Sequence, residues 1–173
     1  MEEKKYAVLI DGDNISSKYL DSILNEMTKY GIATYKRIYC DFTSQQSSKW
    51  RRLVRDSGIQ AMQQFANTVG KNATDSTLII DAMDILYTGN VDGFCIVSSD
   101  GDFTRLAIRL KESGMDVIGM GESKTPRSFR AACTVFTDLE ILYEAESEDD
   151  EISTKGKKAA VKHNVVKVSE IEN

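Results

Sequence analysis

Strand-like apolar runs and helix-spaced apolar residues alternate along most of this chain, and that alternation restricts the fold more than any other feature. Residues 6–10 form a continuous apolar run that ends in Asp-Gly-Asp-Asn. Leu20, Ile23, Leu24 and Met27 then follow the i, i+3, i+4, i+7 spacing of an amphipathic helix. Residues 33–39 read as a second strand, 46–57 as a polar helix and 59–63 as a third, weaker strand. After a loop over 64–73, the spacing of Ile79, Ala82, Met83 and Leu86 predicts a helix over about 74–88. Residues 94–97 form a fourth strand, Phe103, Leu106, Ala107 and Leu110 mark the next helix, and 116–120 form a fifth strand. Gly31, Gly58, Gly89 and Gly114 each fall just past a predicted helix, where a left-handed residue is wanted. Repeated βα units with short apolar strands imply an α/β fold with a parallel sheet covered on both faces. Right-handed crossovers make it doubly wound. A strand order of 3-2-1-4-5 sets the first and fourth strands side by side, and sites in such sheets form at strand carboxyl ends.

The acids follow that geometry. Asp11 and Asp13 come directly after the first strand, and Asp100 and Asp102 directly after the fourth. Asp75 sits in the first turn of the helix that leads to the fourth strand, at the same sheet edge. Carboxylates gathered this way repel one another unless a cation lies between them or one is protonated. Hard oxygen ligands select Mg2+ or Mn2+ over zinc, and such ions activate water and polarise phosphodiesters. Taken singly, each acid has a plainer use. Asp75 suits the positive end of a helix dipole. Asp13 and Asn14 suit a turn and a helix cap, and Asp102 another cap. Asp81 and Asp84 lie mid-helix, where a solvated face is the ordinary reading. Only the joint placement argues for a site.

Composition narrows the chemistry. The sole histidine, His163, lies in a charged stretch near the end, which excludes Ser-His-Asp and Cys-His catalysis and most zinc hydrolase sites. Cys40, Cys95 and Cys133 are odd in number, far apart and set in apolar surroundings. They read as buried reduced thiols of a cytoplasmic protein. The start of the chain is too short an apolar run for a signal peptide, and no segment reaches the roughly 20 apolar residues of a membrane span. The net charge of −5 opposes phosphate binding at first sight. However, residues 144–151 carry six acids and no base, and residues 1–143 hold 19 acids and 17 bases, a balance of −2.

Bases form patches. Lys49, Arg51, Arg52 and Arg55 surround Trp50 in the second helix, which suits single-stranded RNA through phosphate contacts and stacking, or equally a solvated face with Trp50 turned inward. Lys71 precedes Asp75, and Lys124, Arg127 and Arg130 follow the fifth strand. Lys71, Lys124 and Arg127, with Ser99, are the candidate substrate contacts.

Three motifs in order then carry a resemblance. Residues 8–14 (Val-Leu-Ile-Asp-Gly-Asp-Asn), 70–75 (Gly-Lys-Asn-Ala-Thr-Asp) with Ile80-Asp81-Ala82, and 97–103 (Val-Ser-Ser-Asp-Gly-Asp-Phe) resemble the NYN domain, in the LabA-like branch of the PIN-like nuclease superfamily. The resemblance covers nearly all of residues 5–143. It implies a Rossmann-like (PIN-like) three-layer sandwich with a central, mostly parallel sheet of five or six strands. It also implies a metal-dependent endoribonuclease site. Asp11, Asp75, Asp100 and Asp102 would hold Mg2+ or Mn2+, and Asn14 would position substrate or water. Asp13, Asp81 and Asp41 are further candidates.

On this reading residues 1–143 form the nuclease domain and 144–173 a charged linker or tail. Members of the family it resembles often carry an OST-HTH RNA-binding module after such a linker. The expected partner is single-stranded RNA, a homodimer is compatible with the sequence, and no membrane is expected. Two rivals stand beside it. One is a non-catalytic RNA- or protein-binding NYN module. The other, suggested by Asp11-Gly12-Asp13 after a strand, is a phosphatase of the haloacid-dehalogenase kind, which the Ile at position 15 disfavours.

Overall fold

A computed structural model describes residues 2–65 and 73–171, the side chains of 73–76 and 157–171 excepted. Among the described residues the sheet has six strands, all parallel, in the order β3-β2-β1-β4-β5-β6. They are β1 (Lys5–Asp11), β2 (Ile32–Cys40), β3 (Gln60–Gln63), β4 (Gly93–Val97), β5 (Asp116–Gly121) and β6 (Val135–Asp138). The helices are α1 (Leu20–Met27), α2 (Ser48–Ser57), α3 (Ala73–Thr88), α4 (Thr104–Glu112), α5 (Arg127–Ala132) and α6 (Leu139–Ile171). Short 3₁₀ turns at Ser17–Tyr19, Gln45–Ser47 and Gly101–Phe103 lead into α1, α2 and α4. This is the predicted α/β sandwich.

β1 and β4 are central strands, and their side chains are buried almost without exception. That is why they read as unbroken apolar runs instead of alternating ones. On one face Ala7, Leu9, Phe94 and Ile96 pack with Leu78, Ala82 and Ile85 of α3, Leu106 and Leu110 of α4, and Phe129 of α5. The alternate residues Val8, Ile10 and Ile38 are fully buried too, as are Leu20, Ile23 and Met27 of α1, so the sheet is covered on both sides. The chain winds outward from β1 to β3, and α3 then carries it back to β4 on the other flank of β1. The switch point therefore falls between β1 and β4, where Ile10 pairs with Val97; on the other side of β1, Asp11 pairs with Tyr39 of β2.

β6 and α5 have no counterpart among the predicted elements. β6 is a four-residue edge strand without a buried run, and α5 spans six residues, too few for a period to show. Residues 144–151, read as the start of a charged tail, lie within α6, where Glu, Lys and Ala are strong helix formers. Of the four glycines expected to be left-handed, Gly58, Gly89 and Gly114 are so (φ 65°, 69° and 81°). Gly31 is not. A Cβ there would stand 2.2 Å from the carbonyl oxygen of Lys4, so its lack of a side chain lets the two backbones touch. By backbone contacts the chain divides into Met1–Glu140 and Ile141–Asn173.

Candidate functional site

Asp11 ends β1 and is only 1% exposed. Its Oδ2 accepts two hydrogen bonds, from Ser98 Oγ at 2.7 Å and from Asn14 Nδ2 at 2.9 Å. Asn14 comes within reach because the chain turns directly after the strand, with the amides of Asn14 and Ile15 donating to the Asp11 carbonyl. Ser98 lies in the position after β4, is fully buried, and accepts the Asp100 amide at 3.1 Å. One hydroxyl therefore links the two central strand ends. Burial pushes the Asp11 carboxyl up to about 6. The Asn14 and Ser98 hydrogen bonds oppose that shift, and the negative charges of Asp13 and Asp100 add to it. Both donors are neutral, so among the described residues its charge has no cationic hydrogen-bond partner.

Asp100 caps the turn before α4 by accepting the Asp102 amide at 2.9 Å. The capping role considered for Asp102 thus belongs to Asp100, and Asp102 lies exposed in the turn that follows. Likewise the cap before α1 is Ser16, not Asp13 or Asn14. Ser99 accepts the amide of Glu122 at 2.9 Å, so it ties the loop after β4 to the loop after β5. Gly121 permits that approach, since a Cβ there would lie 2.6 Å from the Ser98 carbonyl oxygen. The loop after β5 carries Lys124, and α5 opens with Arg127; both are exposed. Arg130 holds this loop by donating to the carbonyls of Thr125, Ser123 and Glu122, and its guanidinium lies 4.5 Å from the Phe136 ring centre.

Other candidates have structural partners. Asp13 Oδ1 accepts the Asp41 amide at 3.1 Å. Asp41 Oδ1 accepts from Thr43 and from Gln63 Nε2, bracing the loop after β2. Asp81 faces β2, where Arg37 Nη1 stands at 3.1 Å and the Tyr39 hydroxyl donates at 2.6 Å. Burial and the Asp81 charge push the Tyr39 phenol far above its ordinary value. Asp84, on the same helix, is exposed. Trp50 is turned inward. Its indole N–H donates to the carbonyls of Gly12 and Ile15 at 3.0 and 3.2 Å, fastening α2 to the loop that bears Asp13 and Asn14. Arg51 likewise braces the loop before α2, through the carbonyls of Phe42 and Ser44.

The structure therefore brings Asp11, Asn14, Asp13 and Asp100 to one edge, with Asp102 two residues on and the Lys124–Arg127 segment beside them. Lys71 and the Asp75 side chain lie outside the described residues. Among the described residues no three His, Cys, Asp or Glu side chains stand close enough to hold a metal ion. Ser98, Tyr39 and Trp50 organise the site without having been singled out for that role. Ser98 alone had a legible signal, a hydroxyl at the register position beside Asp11. Cys40, Cys95 and Cys133 are buried and unpaired, and burial raises all three thiols, Cys133 to about 11 and Cys40 to about 12. No helix among the described residues is long and apolar enough to cross a membrane.

The chain is similar to proteins that share this architecture. A solved structure of a protein of unknown function from Vibrio parahaemolyticus superposes with a TM-score of 0.64 at 19% identity, covering 80% of this chain and 96% of that one. At that identity the likeness concerns the fold. An uncharacterized protein of Methanocaldococcus jannaschii is 27% identical over 125 residues, which are 69% of this chain and 48% of the relative. The chain thus spans about half the length of that curated relative. The NYN domain pattern matches residues 5–140, from the first residue of β1 to the start of α6. The chain belongs to the NYN domain family, and through it to the PIN-like nuclease superfamily.

Proposed function

We propose that this NYN domain, of the LabA-like pattern, is a metal-dependent endoribonuclease that hydrolyses RNA phosphodiesters in the cytoplasm. One observation carries the reading. The Asp11 carboxylate is buried at the switch point, fixed by two neutral donors and within range of the Asp100 charge. A buried acid so placed is stabilised in its charged form by a cation, and the donors nearby are oxygens, which fit Mg2+ or Mn2+. Asp11, Asp75, Asp100 and Asp102 would hold the ion, which supplies charge neutralisation and water activation when bound.

The chain's own groups do the rest. Ser98 and Asn14 orient Asp11 and keep it ionised. Ser98 also holds the Asp100 amide, which sets the two strand ends at a fixed spacing. Lys124 and Arg127, exposed beside that edge, meet the phosphates of the strand, with Lys71 assigned the same role by sequence. Ser99 acts through the loop after β5.

The test is cleavage of labelled single-stranded RNA with and without Mn2+. Cleavage is expected only with metal, and only weakly from Asp11→Asn or Asp100→Asn. Equal cleavage in EDTA or by those variants sinks the proposal. A binding module remains the second reading, because Asp81, Asp13 and Asp41 all have structural partners. RNA binding without metal and without cleavage would favour it.

A further inference from the structure

A second feature adjoins this edge. Two clefts, of about 390 Å³ and about 470 Å³, lie between the loop after β1 and the face of α2. They share Ser16, Ser17 and Lys49, so they form one continuous groove. Its inner end is Asn14, the residue that donates to Asp11. Its outer end reaches Arg52. Lys49 and Arg52 lie three residues apart on α2, one helical turn, and both are exposed. Lys18 also lines the groove, against two acids, Asp13 and Asp21, of which Asp13 already accepts the Asp41 amide.

The remaining inner wall carries hydroxyl and amide groups, from Ser16, Ser17, Ser48 and Gln46, and the outer part is floored by Leu20 and Leu53. Among the described residues, none lining the groove offers an open aromatic face to stack on. Trp50 is 3% exposed with its N–H engaged, and Tyr19, in the turn beside it, is 3% exposed as well. Such a groove grips a sugar-phosphate backbone by charge and hydroxyl contacts, and it lacks the stacking platform by which single-stranded binders hold bases.

We propose that this groove carries the single-stranded flank of the RNA, its phosphates held by Lys49 and Arg52 and its bases unread. The proposal rests on the ribonuclease reading for the placement of the scissile bond at the carboxylates, but its binding claim is tested separately. The 173-residue chain in EDTA is titrated into labelled oligouridylate and oligoadenylate of about twelve nucleotides, over a salt series, by fluorescence anisotropy. Both sequences should bind with affinities within about tenfold. The variant Lys49→Gln/Arg52→Gln should lower the salt slope by about 1.4, at about 0.7 per phosphate released, which is about 25-fold in affinity per tenfold change in salt. Arg52→Gln alone should lower it by about 0.7. A control pair on α4, Arg109→Gln/Lys111→Gln, should keep the native slope.

A native slope in the groove variants overturns the proposal. So does an equal loss in the control pair, no RNA binding by the native chain, or a preference of more than about hundredfold between the two sequences. Because both side chains are exposed, native-like melting of the variants is expected and is checked by circular dichroism. Cleavage is scored apart, in Mn2+. Groove-dependent binding without cleavage leaves the groove standing and removes the nuclease reading, whereas cleavage with an unchanged slope in the groove variants removes the groove alone.

Discussion

Ser98 Oγ and Asp11 Oδ2 lie 2.7 Å apart, and this one contact joins the carboxyl ends of the two central strands. The same oxygen of Ser98 receives the amide of Asp100. Ser98→Ala removes a donor from a buried carboxylate and the acceptor of a backbone amide together. Hydrogen bonds to charged groups contribute about 1.5–3 kcal/mol, so RNA cleavage should fall about ten- to hundredfold. Ser98→Thr, which keeps the hydroxyl, should recover part of it. Full activity in Ser98→Ala would show that Asp11 needs no orientation.

Asp11 also sets a pH dependence. Its carboxyl is raised from 3.8 to about 6, so the folded chain binds this proton more tightly than the unfolded one does. Its stabilising contribution is complete below the unfolded value and is lost as pH rises through the folded value. In metal-free buffer, Asp11→Asn should therefore match the native protein at low pH and exceed it in stability by up to about 3 kcal/mol near neutrality. Urea denaturation across that range reads the difference. Mn2+ should narrow it by stabilising the native chain alone. A constant gap at all pH values would mean that the carboxyl is not raised.

Trp50 fastens α2 to the loop after β1 through two carbonyls. Trp50→Phe keeps an aromatic ring there and removes the N–H. The two carbonyls left without it should cost about 1–3 kcal/mol of stability. Because the tie is to the loop bearing Asn14, RNA cleavage should drop in parallel. Denaturation midpoints and initial rates check the two effects separately.

Asp81 separates a structural acid from a catalytic one. It answers both Arg37 and the buried Tyr39 hydroxyl. Asp81→Ala strands a partly buried guanidinium and a phenol, and should destabilise the fold by about 3 kcal/mol. The loss should be the same in EDTA and in Mn2+. A loss seen only with metal present would move Asp81 into the site.

The order of the elements was legible in the sequence, because buried central strands must be continuous apolar runs and α/β helices must show their period. Asp11 and Asp100 were legible for a related reason. Asp11 ends one central strand and Asp100 lies in the loop that follows the other, so topology alone sets them near one another. The edge elements β6 and α5 were not legible, since short half-exposed segments bury too little to leave a pattern. Nor was the assignment of the remaining acids. Asp13, Asp41 and Asp81 look alike as letters, yet each has a partner more than twenty residues away in sequence, and a hydrogen bond across that separation exists only once the chain is folded. The inward turn of Trp50 was decided in the same way. Composition left its ring free to stack on a base or to pack, and the carbonyls of Gly12 and Ile15, brought beside α2 by the sheet, settle it.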